Sequence, residues 1–326
     1  MANVLSGVTA RGRRVRRATA LLTLAVIAAG VLGCGGGDTA TPRPLSVALD
    51  FTPNAVHAPI YAAVGRSLDR REGVRMRIVA PGSSPDSLKS VLTGRADVGV
   101  LDIHDFGLAL TRGRDLVAVG ALVERPLAAI ITRASIRRPR DLEGHRVGVS
   151  GLPSDPAVLR AVMSNDGGRL SRVKQVTIGF AAVQSLSSGR IDGVPAFWNA
   201  EGVALRRRNV PIREFRVDDY GAPRYPEVVL VVTRATIDER GSAVRAAVRA
   251  INAGMAEVRA DPATAAAEIA QASGSSVAVA RAQIDAVAPI YGTTLRRPVL
   301  DAWNRWDVRF GILPRRVDVA RAFVTG

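Results

Sequence analysis

The sequence predicts an α/β protein made of two α/β lobes, joined by two crossing strands, with a central ligand cleft between them. Three observations carry that expectation. Short apolar runs alternate with stretches of helical period along most of the chain. A sequence pattern then repeats: Leu92-Thr93-Gly94-Arg95-Ala96-Asp97-Val98 is echoed by Leu186-Ser187-Ser188-Gly189-Arg190-Ile191-Asp192-Gly193. Each reads as a helix end, a glycine cap and an acid entering a strand. Finally, Leu127-Ala128-Ala129-Ile130-Ile131-Thr132-Arg133 resembles Val228-Val229-Leu230-Val231-Val232-Thr233-Arg234, two apolar strands ending in Thr-Arg.

The elements follow in order. Arg11, Arg13, Arg14, Arg16 and Arg17 precede an apolar run, Ala18–Leu32, and then Gly33-Cys34. A basic head, a short apolar core and a small residue before cysteine read as an export signal over residues 1–33, with Cys34 as the lipid-bearing residue. The run is shorter than the roughly 20 residues of a membrane span. Residues 34–44 form a Gly/Thr/Pro tether. Strands are expected at Leu45–Leu49, Val74–Val79, Ala96–Leu101, Leu116–Leu122 and Ala128–Thr132, with helices at Ala58–Asp69, from about Pro85 to Gly94, and at Phe106–Arg112. The pattern restarts with strands Val147–Val149, Lys174–Ile178 and Ile191–Phe197 and helices Ala157–Met163 and Ala182–Ser187. The tail is helical at 244–260, 263–273, 277–288 and 316–323. Lobe one is then 45–130 plus 230–326, and lobe two is 131–229.

Composition narrows the function. The net charge of +16 includes five arginines in residues 1–33, which hold no acid. The body keeps a moderate positive excess, suited to facing an anionic membrane. Its densest basic cluster, Arg206-Arg207-Arg208, has no interleaved aromatics, so no nucleic-acid partner is expected. With one cysteine in the chain, neither an internal disulfide nor a thiolate metal cluster can form. There is no Gly-x-Ser-x-Gly elbow and no Walker loop. Capture without catalysis and without a cofactor is expected.

An ordered set of motifs then resembles a known family. Leu49-Asp50-Phe51-Thr52-Pro53-Asn54-Ala55-Val56-His57-Ala58-Pro59-Ile60-Tyr61 is its most specific piece. Pro81-Gly82-Ser83-Ser84-Pro85, Gly94-Arg95-Ala96-Asp97-Val98-Gly99, Gly144-His145-Arg146-Val147-Gly148, Phe197-Trp198-Asn199-Ala200-Glu201-Gly202 and Tyr220-Gly221-Ala222-Pro223-Arg224-Tyr225-Pro226-Glu227 follow. The chain resembles the solute-binding lipoproteins of ABC importers, in the branch related to thiamine-pyrimidine synthase. The resemblance implies a type II periplasmic-binding-protein-like fold and a lipid-anchored place on the outer face of the cytoplasmic membrane. It also implies an ABC permease as partner and a small flat heteroaromatic ligand. A formylaminopyrimidine or hydroxymethylpyrimidine leads, with riboflavin as the alternative. The fungal synthase of this family uses a lysine for pyridoxal phosphate, but Val98–Asp105 contains none, so the synthase reaction is not expected.

Candidate ligand residues sit at strand-end loops, which face the crevice in open α/β sheets. Phe51 offers a stacking face and Asn54 an amide. His57 is either a ligand donor or a helix cap, and Tyr61 lies one turn on. Ser83 and Ser84, and again Ser154 and Asp155, precede helices, as caps or as polar contacts. Asp102 and His104 follow a strand and face the cleft from lobe one; their spacing with His57 matches no compact metal motif, so no metal is expected. In lobe two Trp198 offers a flat face, with Asn199 beside it. By the resemblance, Glu201 accepts hydrogen bonds from an exocyclic amine and a protonated ring nitrogen. Tyr225 closes over the ligand, and Tyr220 is a weaker candidate.

Overall fold

The computed structural model describes residues 42–82, 86–152 and 154–325. The expected export signal and lipid-bearing Cys34, and the candidates Ser83 and Ser84, lie outside the described residues. The chain forms two five-stranded sheets among these residues. The first contains β1 (Arg43–Ala48), β2 (Val74–Val79), β3 (Val98–Asp102), β4 (Leu116–Ala121) and β10 (Val228–Thr233) in the order β2-β1-β3-β10-β4. The second contains β5 (Ala128–Arg133), β6 (Arg146–Val149), β7 (Lys174–Thr177), β8 (Gly193–Phe197) and β9 (Ile212–Arg216) in the order β7-β6-β8-β5-β9.

The two sheets share one plan. In each, three strands are parallel, and the fourth in the order runs antiparallel to both neighbours. That fourth strand is exchanged between lobes: β10 arrives from late in the chain, and β5 leaves for the second sheet. The Thr-Arg echo in the sequence marks these two strands. Both are apolar and buried along nearly their whole length because helices or loops cover both faces of a central strand.

Two boundaries differ from expectation. β5 lies entirely in the second sheet and β10 entirely in the first, so a cut at 130/131 would divide a strand. The crossings are the short irregular segments 122–127 and 222–227 that lead into these strands. The expected tether also ends early: Arg43 and Pro44 pair with Val74 and Arg75 in β1.

Helices α1 (Ala58–Gly65), α2 (Leu68–Arg71), α3 (Ser87–Leu92) and α4 (Ile103–Thr111) belong to the first lobe's early chain. Helices α5 (Asp155–Asn165), α6 (Ala182–Ser187) and α7 (Val203–Arg207) belong to the second. The tail supplies α8 (Arg234–Ala260), α9 (Pro262–Ser273), α10 (Val277–Val287), α11 (Arg297–Arg309) and α12 (Val319–Ala322). Helix α11 was not expected from the sequence. Its arginines and Asp301 mask a buried stripe of Leu300, Trp303, Asn304, Trp306 and Asp307 at helical spacing. Small residues set the closest approaches. A Cβ on Gly254 of α8 would collide with the Pro59 carbonyl of α1, so only glycine allows that helix pair to pack. A Cβ on Gly99 would stand 2.7 Å from Val91 and 2.9 Å from the Ser87 hydroxyl, so β3 needs glycine to bring α3 against the sheet.

Candidate functional site

The strand ends of both sheets meet around a cavity of about 470 Å³, within the usual range of small-molecule sites. The first lobe contributes Asp50 and Phe51 after β1, Asp86 to Lys89 at the start of α3, Asp102 at the end of β3 and Asp105 in the first turn of α4. The second contributes Ser150 to Leu152 after β6, Ser154 and Asp155 at α5, Gly179, and Val194 to Phe197 of β8 followed by Ala200 and Glu201. The lining is mostly apolar, but its ionisable groups are lopsided: six carboxyl groups face two cations, Lys89 and Arg112.

The lobes touch across this cavity. Phe51 packs on Phe180 with ring centroids 4.1 Å apart. Ser154 donates its hydroxyl to Asp105 at 3.0 Å. The Asp155 carboxylate accepts from the Ser150 hydroxyl at 2.7 Å and from the Ser150 amide, which ties the β6 loop to the start of α5. Burial raises the pKa of Asp105 well above the ordinary carboxylate range, and the neighbouring Asp102 raises it further. Burial likewise raises Asp155.

Glu201 is the most informative wall residue. It sits on a π-helical turn, Trp198–Gly202, that follows β8; such turns are concentrated at functional sites. One carboxylate oxygen accepts from the Phe197 amide at 3.0 Å. Burial pushes its pKa up to about 7; its own amide and that of Phe197 pull it down, and Asp50 adds to the rise. A carboxyl poised there can exchange a proton with a weakly basic ring nitrogen near neutral pH.

Of the candidates read from the sequence, Phe51, Asp102, Ser154, Asp155 and Glu201 line the cavity. The others within the described residues stand elsewhere. Asn54 and His57 satisfy each other's backbone: the Asn54 side chain accepts from the Val56 amide, and His57 Nδ1 accepts from the Asn54 amide. His57 Nε2 also pairs with Asp50 at 2.8 Å, so it supports a wall residue from behind. Tyr61 is corrected outright. It lines a separate hollow over β2 and α9, because its turn of α1 faces away from the cleft. Trp198 is no stacking face for a ligand: its indole N–H donates to the Pro126 carbonyl at 3.1 Å, and Arg216 covers its ring at 4.2 Å. Asn199 is fully buried beside it, off the cavity wall, with neither amide atom hydrogen-bonded among the described residues. Tyr220 packs edge-on against Phe215, away from the cavity.

His104 and Tyr225 are also corrected. Both are completely buried at the hinge, behind the cavity floor, where the Tyr225 hydroxyl meets His104 Nε2 at 2.9 Å. His104 Nδ1 lies 2.8 Å from Asp307. Burial alone would lower the pKa of His104, but Asp307, Asp102 and Glu227 raise it to about 10. Glu227, which sequence reading passed over, pins the two crossings together. Its carboxylate accepts from the Leu127 and Ala128 amides at 2.7 and 3.0 Å, and its carbonyl accepts from Ile103 at 2.9 Å. Asp50, Asp86, Lys89, Asp105 and Ser150 were likewise missed as wall residues. Asp50 stood inside the most specific motif, and only its position at the strand end pointed to the cleft.

Residues 54–265 match the family described as NMT1/THI5 like. The chain belongs to that family. A formylaminopyrimidine-binding protein from Halalkalibacterium halodurans is 31% identical over 216 residues, covering 65% of this chain and 66% of that protein. A 4-amino-5-hydroxymethyl-2-methylpyrimidine phosphate synthase from Schizosaccharomyces pombe is 23% identical over 218 residues, covering 63% of each chain. The matched segments span between about half and two thirds of these curated relatives' own lengths. The alkanesulfonate-binding protein SsuA from Xanthomonas axonopodis pv. citri, bound to MOPS, superposes with a TM-score of 0.73 at 19% identity, over 88% of this chain and all of that one. SsuA from Escherichia coli gives 0.71 at 17% identity, over 87% and 92%. The fold is that of the two-lobed periplasmic binding proteins.

Proposed function

We propose that this protein is the extracytoplasmic substrate-binding component of an ABC importer and that it captures a thiamine pyrimidine precursor, a formylaminopyrimidine or hydroxymethylpyrimidine. The observation that carries this reading is the acidic cleft with Glu201 on its wall. An aminopyrimidine presents an exocyclic amine next to a ring nitrogen, and a carboxylate can accept from both once that nitrogen holds a proton. Phe51 supplies an apolar face for the flat ring and is itself packed on Phe180. The same carboxyl excess disfavours a sulfonate, although the fold is shared with sulfonate-binding proteins. Ligand bridging both lobes stabilises the closed form, which then docks on a membrane permease. The reading places the protein outside the cytoplasm, held by lipid on Cys34.

Capture rather than turnover is favoured because the stretch between Val98 and Asp105, which carries the lysine in the synthases it resembles, has none. Lys89 lines the cleft from α3 instead. A thermal-shift panel tests the reading. Purified residues 42–326 with an aminopyrimidine at about 100 times its Kd gain roughly 2.7 kcal/mol of stability, a rise of several degrees; taurine gives none. Release of a converted product from the protein alone would overturn capture. A shift with riboflavin and none with pyrimidines would reassign the ligand.

A further inference from the structure

Behind the cleft floor, at the point where the two crossings meet, the hinge encloses three carboxyl groups and one imidazole. Glu227 and Asp307 are completely buried, as is His104, and Asp102 stands between them and the cavity. Two carboxylate oxygens accept from no N–H or hydroxyl donor among the described residues, Glu227 Oε1 and Asp307 Oδ1, while the Asp102 and Glu227 carboxyl groups stand within hydrogen-bond reach of each other. Buried acceptors are rarely left so, and an uncompensated negative charge in a dry site is costlier still. One imidazole does not balance three carboxylates. The remaining charge must be met by shared protons or by a cation.

The donor geometry favours a cation. One donor atom each from Asp102, His104 and Glu227 lies within 4.8 Å of the other two. Glu227 Oε1 is 3.9 Å from His104 Nε2. That is just under twice a zinc–ligand bond of about 2.1 Å, so one ion can touch both atoms without either moving. His104 Nδ1 meets Asp307 at 2.8 Å on the other side of the ring. This carboxylate–imidazole arrangement fixes the ring and turns Nε2 toward Glu227 Oε1. The Tyr225 hydroxyl, 2.9 Å from Nε2, must then turn from that nitrogen toward the ion or another acceptor. Asp102 lines the cavity, which supplies an entry path.

We propose that Asp102, His104 and Glu227 bind a divalent first-row transition-metal ion at the hinge, with Asp307 as the positioning residue for His104. An imidazole with two carboxylates suits zinc better than calcium or magnesium, which prefer an all-oxygen set. The other oxygen of Glu227 holds the Leu127 and Ala128 amides of the opposite crossing. The ion therefore ties both crossings to β3 and α4. This site does not depend on the ligand reading above.

The test uses the full chain, stripped with a chelator and dialysed against zinc chloride. Elemental analysis gives about one zinc per chain, and cobalt(II) gives the visible absorption of a site with a nitrogen ligand, as expected for a three-ligand site. Asp102→Asn and His104→Gln abolish both signals. Asp307→Asn weakens zinc about 10- to 100-fold, as loss of an orienting partner does. Asp86→Asn, on the cleft wall but away from the hinge, leaves zinc unchanged. Asp102→Asn is the safeguard against misfolding, because its side chain reaches the cavity; its circular dichroism matches wild type. Wild-type protein that retains no zinc, or zinc retained equally by Asp102→Asn and His104→Gln, overturns the site. So does magnesium competing as well as zinc.

Discussion

Replacing Glu201 with Gln isolates the proposed proton exchange. Burial holds the carboxyl at about 7 in the free cleft. A neutral aminopyrimidine paired with Glu201 needs one proton between the carboxylate and the ring nitrogen. Below pH 7 that proton is already on Glu201 and passes to the ring, so no proton is taken from solvent. Above pH 7 the free carboxyl is ionised and each complex takes one proton up. Affinity then falls about tenfold per pH unit, and two units cost roughly 2.7 kcal/mol at about 1.36 kcal/mol each. Gln cannot ionise, so the slope disappears. At pH 6 the variant also loses the charge-assisted pair, worth about 1.5–3 kcal/mol, or roughly ten- to a hundredfold in Kd. Titration calorimetry in two buffers of different ionisation enthalpy reads the proton uptake directly. A wild-type Kd that is flat from pH 6 to pH 9, or a Glu201→Gln protein that keeps the slope, refutes the reasoning. A riboflavin-binding cleft would show neither slope nor sensitivity to this substitution.

Other substitutions separate wall residues from residues that only support the wall. Phe51→Ala removes a ring face and its packing on Phe180; ligand affinity drops about two- to tenfold, from roughly 0.5–1.5 kcal/mol per aromatic contact, as calorimetry reads. Trp198→Phe loses the indole hydrogen bond to Pro126 and costs about 1 kcal/mol in urea unfolding, with pyrimidine affinity unchanged. Gly254→Ala drives a methyl into the Pro59 carbonyl; overpacking of this kind costs about 1–3 kcal/mol, seen as a lower thermal midpoint.

The α/β alternation, the repeated helix-glycine-acid pattern and the exchanged strands were legible because they are local. Each is a run of residues whose period or end signal shows without neighbours. The position of Glu201 was legible because it directly follows a strand whose end faces the crevice. Tyr61, inside α1, and Trp198, just after β8, misled because an aromatic ring has two or more faces available, and packing by other elements decides which it uses. Helix α11 was hidden because Arg297, Asp301, Arg305 and Arg309 interrupt the stripe and two of its buried members, Asn304 and Asp307, are themselves polar. Glu227 was hidden because its partners, Leu127 and Ala128, are a hundred residues away in the chain.

By itself the sequence determined the class of fold, the two-lobed plan, the family and the apolar strands that change lobes, since these depend on residue order and periodicity. The tertiary structure alone decided that six carboxyl groups from both lobes line one cavity and that His104, Tyr225 and Glu227 meet behind its floor. It brought them together because the chain crosses twice, at 122–127 and 222–227, and so presses the end of β3 against the start of β10. Charges far apart in the chain acquire shifted pKa values only when burial removes the water between them, and residue order does not reveal where that happens.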